Sequence, residues 1–455
     1  MNRAPAAPGE NTNNAAESSN NAGISAAVME KLYKDTKILI DRVINANMPQ
    51  QAVRKALGNH SFTGNIYLAA IGKAAWTMAH SAREELGDRI KRGIVITKYG
   101  HSRGGIPSME IIEAGHPLSD ENTIAGTKKV IEMAQDLGAG DELLFLISGG
   151  GSALFEEPLP GLTLADIVNI NENLLACGAD IVEINMIRKR LSKVKAGRFA
   201  QICAPAKVFT VLLSDVLGDR LDSIASGPAA PDMSTINVVA AVLEKYKLNF
   251  SDKTKEYLFT ETPKSLDNVE SVITGSVRTL CSSAAEIAAG LGYTPHVLCT
   301  EMNCEAREAG RLISSMAKQI EVKQIDRSAS GVCYNGYMFK RPCAIILGGE
   351  TVVTLRGKGK GGRNQELVLA AAEGITGIDN LIVFSLGSDG TDGPTDAAGG
   401  IVDGTTARRL KEKGIKIREV LDNNDSYNAL TSVDGLIKTG PTGTNVNDVA
   451  VILCR

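Results

Sequence analysis

At 455 residues, and with domains of ~150 residues as a guide, the chain has room for two or three domains with ample buried core. Apolar residues at 43% and charged residues at 22% exclude a fibrous or disordered chain, and a net charge of −3 excludes the global basicity that draws proteins to nucleic acids or membrane surfaces. Glycine is the more telling count, because 46 glycines against 15 prolines suit a fold with many tight strand-to-helix turns.

Residues 1–24, rich in Asn, Ala and Ser, are expected to form a disordered tail with neither a signal-peptide core nor the Arg-rich pattern of a transit peptide, so the expected location is cytoplasmic. An amphipathic pattern through Met29, Leu32, Val43 and Ile44 then predicts a helix. Short β-branched runs follow, most ending in Gly or Asp: Ile66–Ile71 before Gly72, Gly93–Thr97, Met109–Ala114 before Gly115, Leu143–Ser148 before Gly149, and Val208–Ser214 before Asp215. Helix-like segments between them imply parallel strands with crossover helices, and so a doubly wound, Rossmann-like α/β domain over residues 25–265. The polar stretch 251–267 reads as a linker. Beyond it, Val272–Thr274, His296–Cys299, Ala344–Leu347, Val352–Leu355, Leu381–Leu386 and Val449–Leu453 predict a second α/β domain over 266–455, with a mixed sheet. Ligands in open α/β sheets lie beyond the carboxyl ends of the strands, which directs attention to the turns that follow them.

Ser148-Gly149-Gly150-Gly151-Ser152 follows the fourth strand, where glycines let backbone N–H groups close on an anion and a following helix N-terminus adds positive charge. Ile71-Gly72-Lys73 is a similar turn with a cation beside it, suited to a transferring phosphoryl group. The segment Gly357-Lys358-Gly359-Lys360-Gly361-Gly362-Arg363 satisfies G-x-G-x-x-G between a predicted strand and a predicted helix, which raises a dinucleotide fold. Its cations, however, suit exposed phosphates better than a backbone-cradled pyrophosphate.

Acidic groups complete the set. Asp215 ends one strand, and Asp389 and Asp392 lie in Ser-Asp-Gly-Thr-Asp-Gly after another; carboxylates there suit Mg²⁺-assisted phosphoryl transfer, although Asp and Gly are also ordinary turn residues. An EF-hand loop begun at Asp389 would place Gly400 where the bidentate Glu belongs, so that reading fails. Residues 185–198 carry six cations, by default a solvated basic face. Eight scattered cysteines, without a Cys-x-x-Cys pair, and five histidines in no zinc pattern argue against a zinc or disulfide framework. Lys73 is followed by Ala74, so there is no P-loop, and no protein-kinase signature occurs.

The ordered series Ile-Gly-Lys-Ala (71–74), Ala-Gly-His-Pro (114–117), Ser-Gly-Gly-Gly-Ser-Ala (148–153), Leu-Ser-Asp-Val-x-Gly-Asp (213–219), Ala-Ser-Gly-Pro (225–228), Gly-Gly-Glu-Thr (348–351), Gly-Gly-Arg-Asn-Gln-Glu (361–366) and Ser-Asp-Gly-x-Asp-Gly-x-Thr-Asp (388–396) resembles the glycerate 2-kinase family with its C-terminal MOFRL domain. The resemblance implies ATP-dependent phosphorylation of D-glycerate with Mg²⁺, in a cleft between two α/β domains. It implies that Lys73 and Arg363 flank the reaction and that Asp215 and Asp389 are further site groups, either one a candidate to accept the hydroxyl proton. Gly149, Gly150, Gly151 and Ser152, with Gly357, Lys358, Gly359, Lys360, Gly361 and Gly362, are the expected nucleotide-binding residues, and Asp389 and Asp392 the expected metal ligands. The expected partners are a small-molecule substrate and a nucleotide, without nucleic acid or membrane, and a homodimer is compatible with the sequence. One departure stands out: Ala196 replaces the first glycine of the family's Lys-Gly-Gly. The rival enzyme reading is an NAD(P)-dependent hydroxypyruvate reductase, with Asp389, 27 positions beyond Gly362, as the ribose carboxylate.

Overall fold

A computed structural model describes residues 12–321, 339 and 341–455, so residues 1–11 of the expected tail and Cys333 lie outside the described residues. The chain divides into two compact units.

The first unit spans Asn47–Thr279 with Gly443–Val446. Its sheet contains β1 (Asn65–Ile71), β2 (Ile90–Lys98), β3 (Met109–Ala114), β4 (Asp141–Ile147), β5 (Lys207–Leu213) and β6 (Val269–Gly275). All neighbours are parallel, in the order β3-β2-β1-β4-β5-β6. Such a sheet needs cover on both faces, so its central strands β1, β4 and β5 are apolar almost throughout. In β1, Ala69 and Ile71 join Ile94, Ile96 and Phe145 on one face, while Leu68 and Ala70 join Leu144, Leu146 and Phe209 on the other. The direction of winding reverses between β1 and β4, which makes their carboxyl ends the topological switch point.

Two sequence expectations change here. The stretch 251–267 is not a free linker: Asp252–Leu258 is a helix whose N-cap Ser251 accepts from the Thr254 N–H, and Leu258 packs with Ile167, Leu174, Ile187 and Val239. The run at 272–274 belongs to β6, which pairs in parallel with β5 and so closes the first sheet rather than opening the second.

The second unit contains the helix Thr12–Ala46, residues Leu280–Thr442 and Asn447–Arg455. The helix includes Thr12 onward of the segment expected as tail. Its buried Asp35 accepts hydrogen bonds from Tyr293 (2.7 Å) and Arg455 (3.4 Å), which ties residues 25–46 to the C-terminal sheet unit rather than to the domain that follows them in sequence. The sheet holds β7 (Thr294–Met302), β8 (Cys343–Gly349), β9 (Leu381–Gly387), β10 (Gly399–Asp403), β11 (Leu436–Ile437) and β12 (Asp448–Cys454) in the order β11-β10-β9-β12-β8-β7. It is mixed as expected: β12 runs antiparallel to both β8 and β9, and β7 parallel to β8. The helix Arg363–Gly374 packs on it through Leu367, Val368 and Ala371. Val352–Leu355 is not a strand. Glu305 instead captures Thr354 through its backbone N–H and hydroxyl, leaving one isolated bridge at Val352. Among the described residues no helix is long and apolar enough to cross a membrane.

Candidate active site

At the switch point of the first unit, the turns after β1 and β4 are built as one piece. Ser148 N–H donates to the Ile71 carbonyl (3.0 Å), Lys73 N–H to the Gly149 carbonyl (2.9 Å), and the Ser148 hydroxyl accepts from Ala74 N–H (3.0 Å). Gly72 has φ +112° and Gly150 φ +86°, conformations that a side chain opposes. A Cβ on Gly149 would lie 2.4 Å from Asp215 Oδ2, and one on Gly150 would lie 2.9 Å from His116 Cδ2 and 3.3 Å from Lys73 Cγ. The triple glycine thus brings Lys73, His116 and Asp215 against bare backbone. The N–H groups of Gly149 and Gly150 donate to no described residue, as an anion-binding turn requires. The expected helix contribution is smaller than the sequence implied, because Gly151–Leu154 is a single turn and too short for an appreciable macrodipole. Ser152 turns to Ser226, with the two hydroxyls 3.0 Å apart.

Burial raises the Asp215 carboxyl above its ordinary value, opposed by the charge of Lys73. Burial, followed by the charges of Lys73, Lys98 and His101, lowers the His116 imidazole. His116 was not among the residues singled out individually. The signal for it was the Gly115-His116-Pro117 turn at the end of β3, a strand adjoining the same edge of the sheet.

In the second unit Arg363 opens its helix, with Gly362 as N-cap. Its Nε and Nη2 bind Asp448 in a bidentate pair (2.5 and 2.9 Å), and Nη1 lies 3.3 Å from Glu350. Burial works against the guanidinium charge, but Asp448 outweighs it and raises the pKa. Sequence reasoning missed both carboxylates, which arrive from the ends of β12 and β8. Asn364, Gln365 and Glu366 face inward: Asn364 Oδ1 accepts from Ser385 (2.5 Å), Gln365 donates to Asp392 and Thr395, and Glu366 pairs with buried Arg307 (2.7 Å).

The loop 357–362 departs from the expected backbone cradle. Gly357 N–H donates to Asn424 Oδ1 (3.0 Å), Lys358 N–H to Asn423 Oδ1 (3.2 Å), Gly359 N–H to the Asn423 carbonyl (2.9 Å) and Lys360 N–H to Asp425 Oδ1 (2.9 Å). A Cβ at Gly357, Gly359 or Gly361 would fall within 2.2–2.4 Å of residues 423–426, so these glycines serve packing. The side chains of Lys358 and Lys360 remain exposed for phosphates, and Lys360 Nζ sits 4.1 Å over the Tyr427 ring. The dinucleotide reading loses its basis, since the fingerprint needs a strand directly before free glycine N–H groups.

Asp392 caps the Arg363–Gly374 helix in place of the N-cap side chain that Gly362 lacks. Its two oxygens accept from Asn364 N–H (3.1 Å) and Gln365 N–H (2.9 Å), and burial pushes it up to about 6. Asp389 accepts Thr391 N–H (2.9 Å), turning its own loop. With both Asp392 oxygens committed to the helix, Asp389 and Asp392 do not fit a shared Mg²⁺ site.

The expected solvated basic face at 185–198 is largely buried. Lys189 pairs with Asp222 (3.1 Å), Arg190 donates to the Thr260 and Ser234 carbonyls (2.6 and 2.9 Å), and Lys195 pairs with Glu156 in the interior.

Comparison with known proteins fits this geometry. A D-glycerate 2-kinase of Thermotoga maritima is 50% identical over 422 residues, covering 93% of this chain and 98% of the relative. The chain belongs to the glycerate 2-kinase family. A glycerate 2-kinase of Pyrococcus horikoshii is 38% identical over 437 residues, covering 91% of this chain and 96% of its own. The crystal structure of a glycerate kinase from Thermotoga maritima superposes with a TM-score of 0.87 at 49% identity, over 94% of this chain and 100% of that one. The MOFRL family model matches residues 343–448, and a model described as a domain of unknown function (DUF4147) matches 35–259. Within this family the Gly72–Lys73 and Gly149–Gly151 turns belong to the N-terminal match, and Arg363 with its two carboxylates to the MOFRL match.

Proposed function

We propose that this glycerate 2-kinase family member transfers the terminal phosphoryl group of ATP to the 2-hydroxyl of D-glycerate. The observation that carries the reading is the placement of Lys73 at the β1/β4 switch point, its backbone N–H bonded to the Gly149 carbonyl and its Cγ packed against Gly150 of the glycine turn. Negative charge spreads over the transferring phosphoryl oxygens, and fixed donors aimed there need no rearrangement during reaction. Arg363, held by Asp448 and Glu350, is the second cation assigned to the reaction, its planar guanidinium oriented by these carboxylates with two of its five N–H groups uncommitted. Lys358 and Lys360 meet nucleotide phosphates through their side chains.

Mg²⁺ supplies phosphate charge neutralisation in such reactions, but the Asp389–Asp392 pair does not fit it and no step is assigned through that pair. The reading is tested by incubating the protein with D-glycerate and ATP, with NAD⁺ in place of ATP as the control. Release of ADP with formation of 2-phosphoglycerate supports it; absorbance growth at ~340 nm without ADP supports the reductase reading and ends this one.

A further inference from the structure

We propose that His116 is the base that takes the proton from the glycerate hydroxyl as it attacks the terminal phosphorus, an inference that rests on the kinase reading above. The loop carrying it is braced on both sides. Asp120 accepts from Thr123 N–H (2.9 Å) and from the Tyr99 hydroxyl (2.7 Å), and a Cβ on Gly115 would lie 3.1 Å from its carboxylate. The Ser119 hydroxyl donates to the Ala153 carbonyl (2.6 Å), fastening the loop to the helical turn that follows the triple glycine. Bracing of this kind fixes the imidazole against Gly150, where Nε2 lies 3.0 Å from the position a Cβ would take and the Lys73 Cγ 3.3 Å from it. The missing side chain thus lets the imidazole and the Lys73 stem pack side by side against the backbone of the turn assigned to the phosphoryl group.

His116 differs from the neighbouring histidines in having no assigned structural partner. His60 bonds Glu142 (2.7 Å) and stacks on Phe209, His80 stacks on Trp76, and His101 Nδ1–H donates to the Lys73 carbonyl (3.0 Å). No hydrogen bond joins the His116 ring to a described residue. The charged groups facing it are Lys73 after β1 and Lys98 and His101 at the end of β2. The acids nearest in its own chain are committed elsewhere, Glu113 to Gly100 and Ser102 N–H and Asp120 as above. Burial and the neighbouring positive groups push the imidazole below its ordinary value, toward the neutral form a proton acceptor needs. Asp215, across Gly149, is left as the counter-charge that orients Lys73. In the step, the O–H bond of glycerate breaks and its proton goes to His116 Nε2. The new O–P bond forms as the bond to the β,γ-bridging oxygen breaks; ADP leaves with that electron pair, and the imidazolium returns its proton to solvent.

The experiment compares wild type, His116→Ala and His116→Gln in ADP release with D-glycerate and ATP across pH 5–9, each variant first checked by thermal melting. The expected result is a fall in kcat of at least ~10²-fold in both variants, little change in KM for ATP, loss of the acidic limb of the pH profile, and partial rescue of His116→Ala by added imidazole. Gln keeps the size and hydrogen-bonding capacity of the ring, so it separates proton transfer from packing should the Ala variant melt early. An active wild type with variants within ~3-fold of it, or variants that keep the acidic limb, overturns the role of His116 while leaving the kinase reading intact. An inactive wild type overturns both.

Discussion

Gly149 and Asp215 occupy the same corner of the first sheet, so closely that a single methyl group on Gly149 would come within 2.4 Å of the Asp215 carboxylate. Gly149 is not among the positive-φ residues, so its role is close approach rather than unusual backbone. Gly149→Ala is expected to displace Asp215 and with it the counter-charge on Lys73, lowering turnover by ~10²-fold or more, while Gly58→Ala, with nothing within 4 Å, changes nothing measurable. Steady-state ADP release on both variants checks this.

Arg363 is expected to depend on its carboxylate anchors. Arg363→Ala should cost ~10²- to 10³-fold in kcat. Arg363→Lys should recover little, because an ammonium cannot reproduce the bidentate pair with Asp448. Comparable rates for Lys and Arg at this position would remove the planar-fork argument.

Ala196 takes φ +55° and is followed by Gly197 at +79°; the two bond Ser226 and Gly227, themselves in the left-handed region. The cost of a Cβ there exceeds the entropy that glycine loses on folding, so Ala196→Gly should stabilise the protein by ~0.5–1 kcal/mol. Urea unfolding measures it, and a lower midpoint would contradict it.

Lys195 and Glu156 form a pair buried from solvent. Glu156→Gln leaves the ammonium without its countercharge and should destabilise by about 3–5 kcal/mol near neutrality. Burial already lowers Lys195, against the attraction of Glu156, so in the variant the folded state sheds this proton more readily than the unfolded state. The deficit should therefore shrink as pH rises toward the ordinary lysine value of ~10.4. A pH-independent deficit would show that the charge is not its source.

Asp392 is shifted the opposite way from Asp120, Asp222 and Asp403, whose carboxyls are lowered. Burial raises it from 3.8 to about 6, so the folded state holds its proton more tightly than the unfolded state. Its contribution is fully present below pH 3.8 and is lost as pH climbs through 6, by about 3 kcal/mol. The stability of wild type relative to Asp392→Asn should fall across that window in urea titrations.

The first sheet was legible because its central strands β1, β4 and β5 are apolar on both faces and run into Gly or Asp within two residues, which marks strand, turn and crossover at once. Lys73 and Gly149–Gly151 were legible for the same reason. The loop at 357–362 misled because its glycines make room for Asn423–Ser426, a partner more than sixty positions away that no local pattern reveals. The basic run misled likewise: Asp222, Asp232 and Glu156, which bury Lys189 and Lys195, are remote in sequence. The helix Asp252–Leu258 escaped notice because only Thr254 and Leu258 of it are buried, too few to set a period.

The most direct test follows phosphorus by NMR in mixtures of D-glycerate and ATP with wild type and with folded Lys73→Ala. The account predicts a 2-phosphoglycerate resonance growing with ADP for wild type, and growth slower by orders of magnitude for the variant. Equal rates for the two proteins would contradict it.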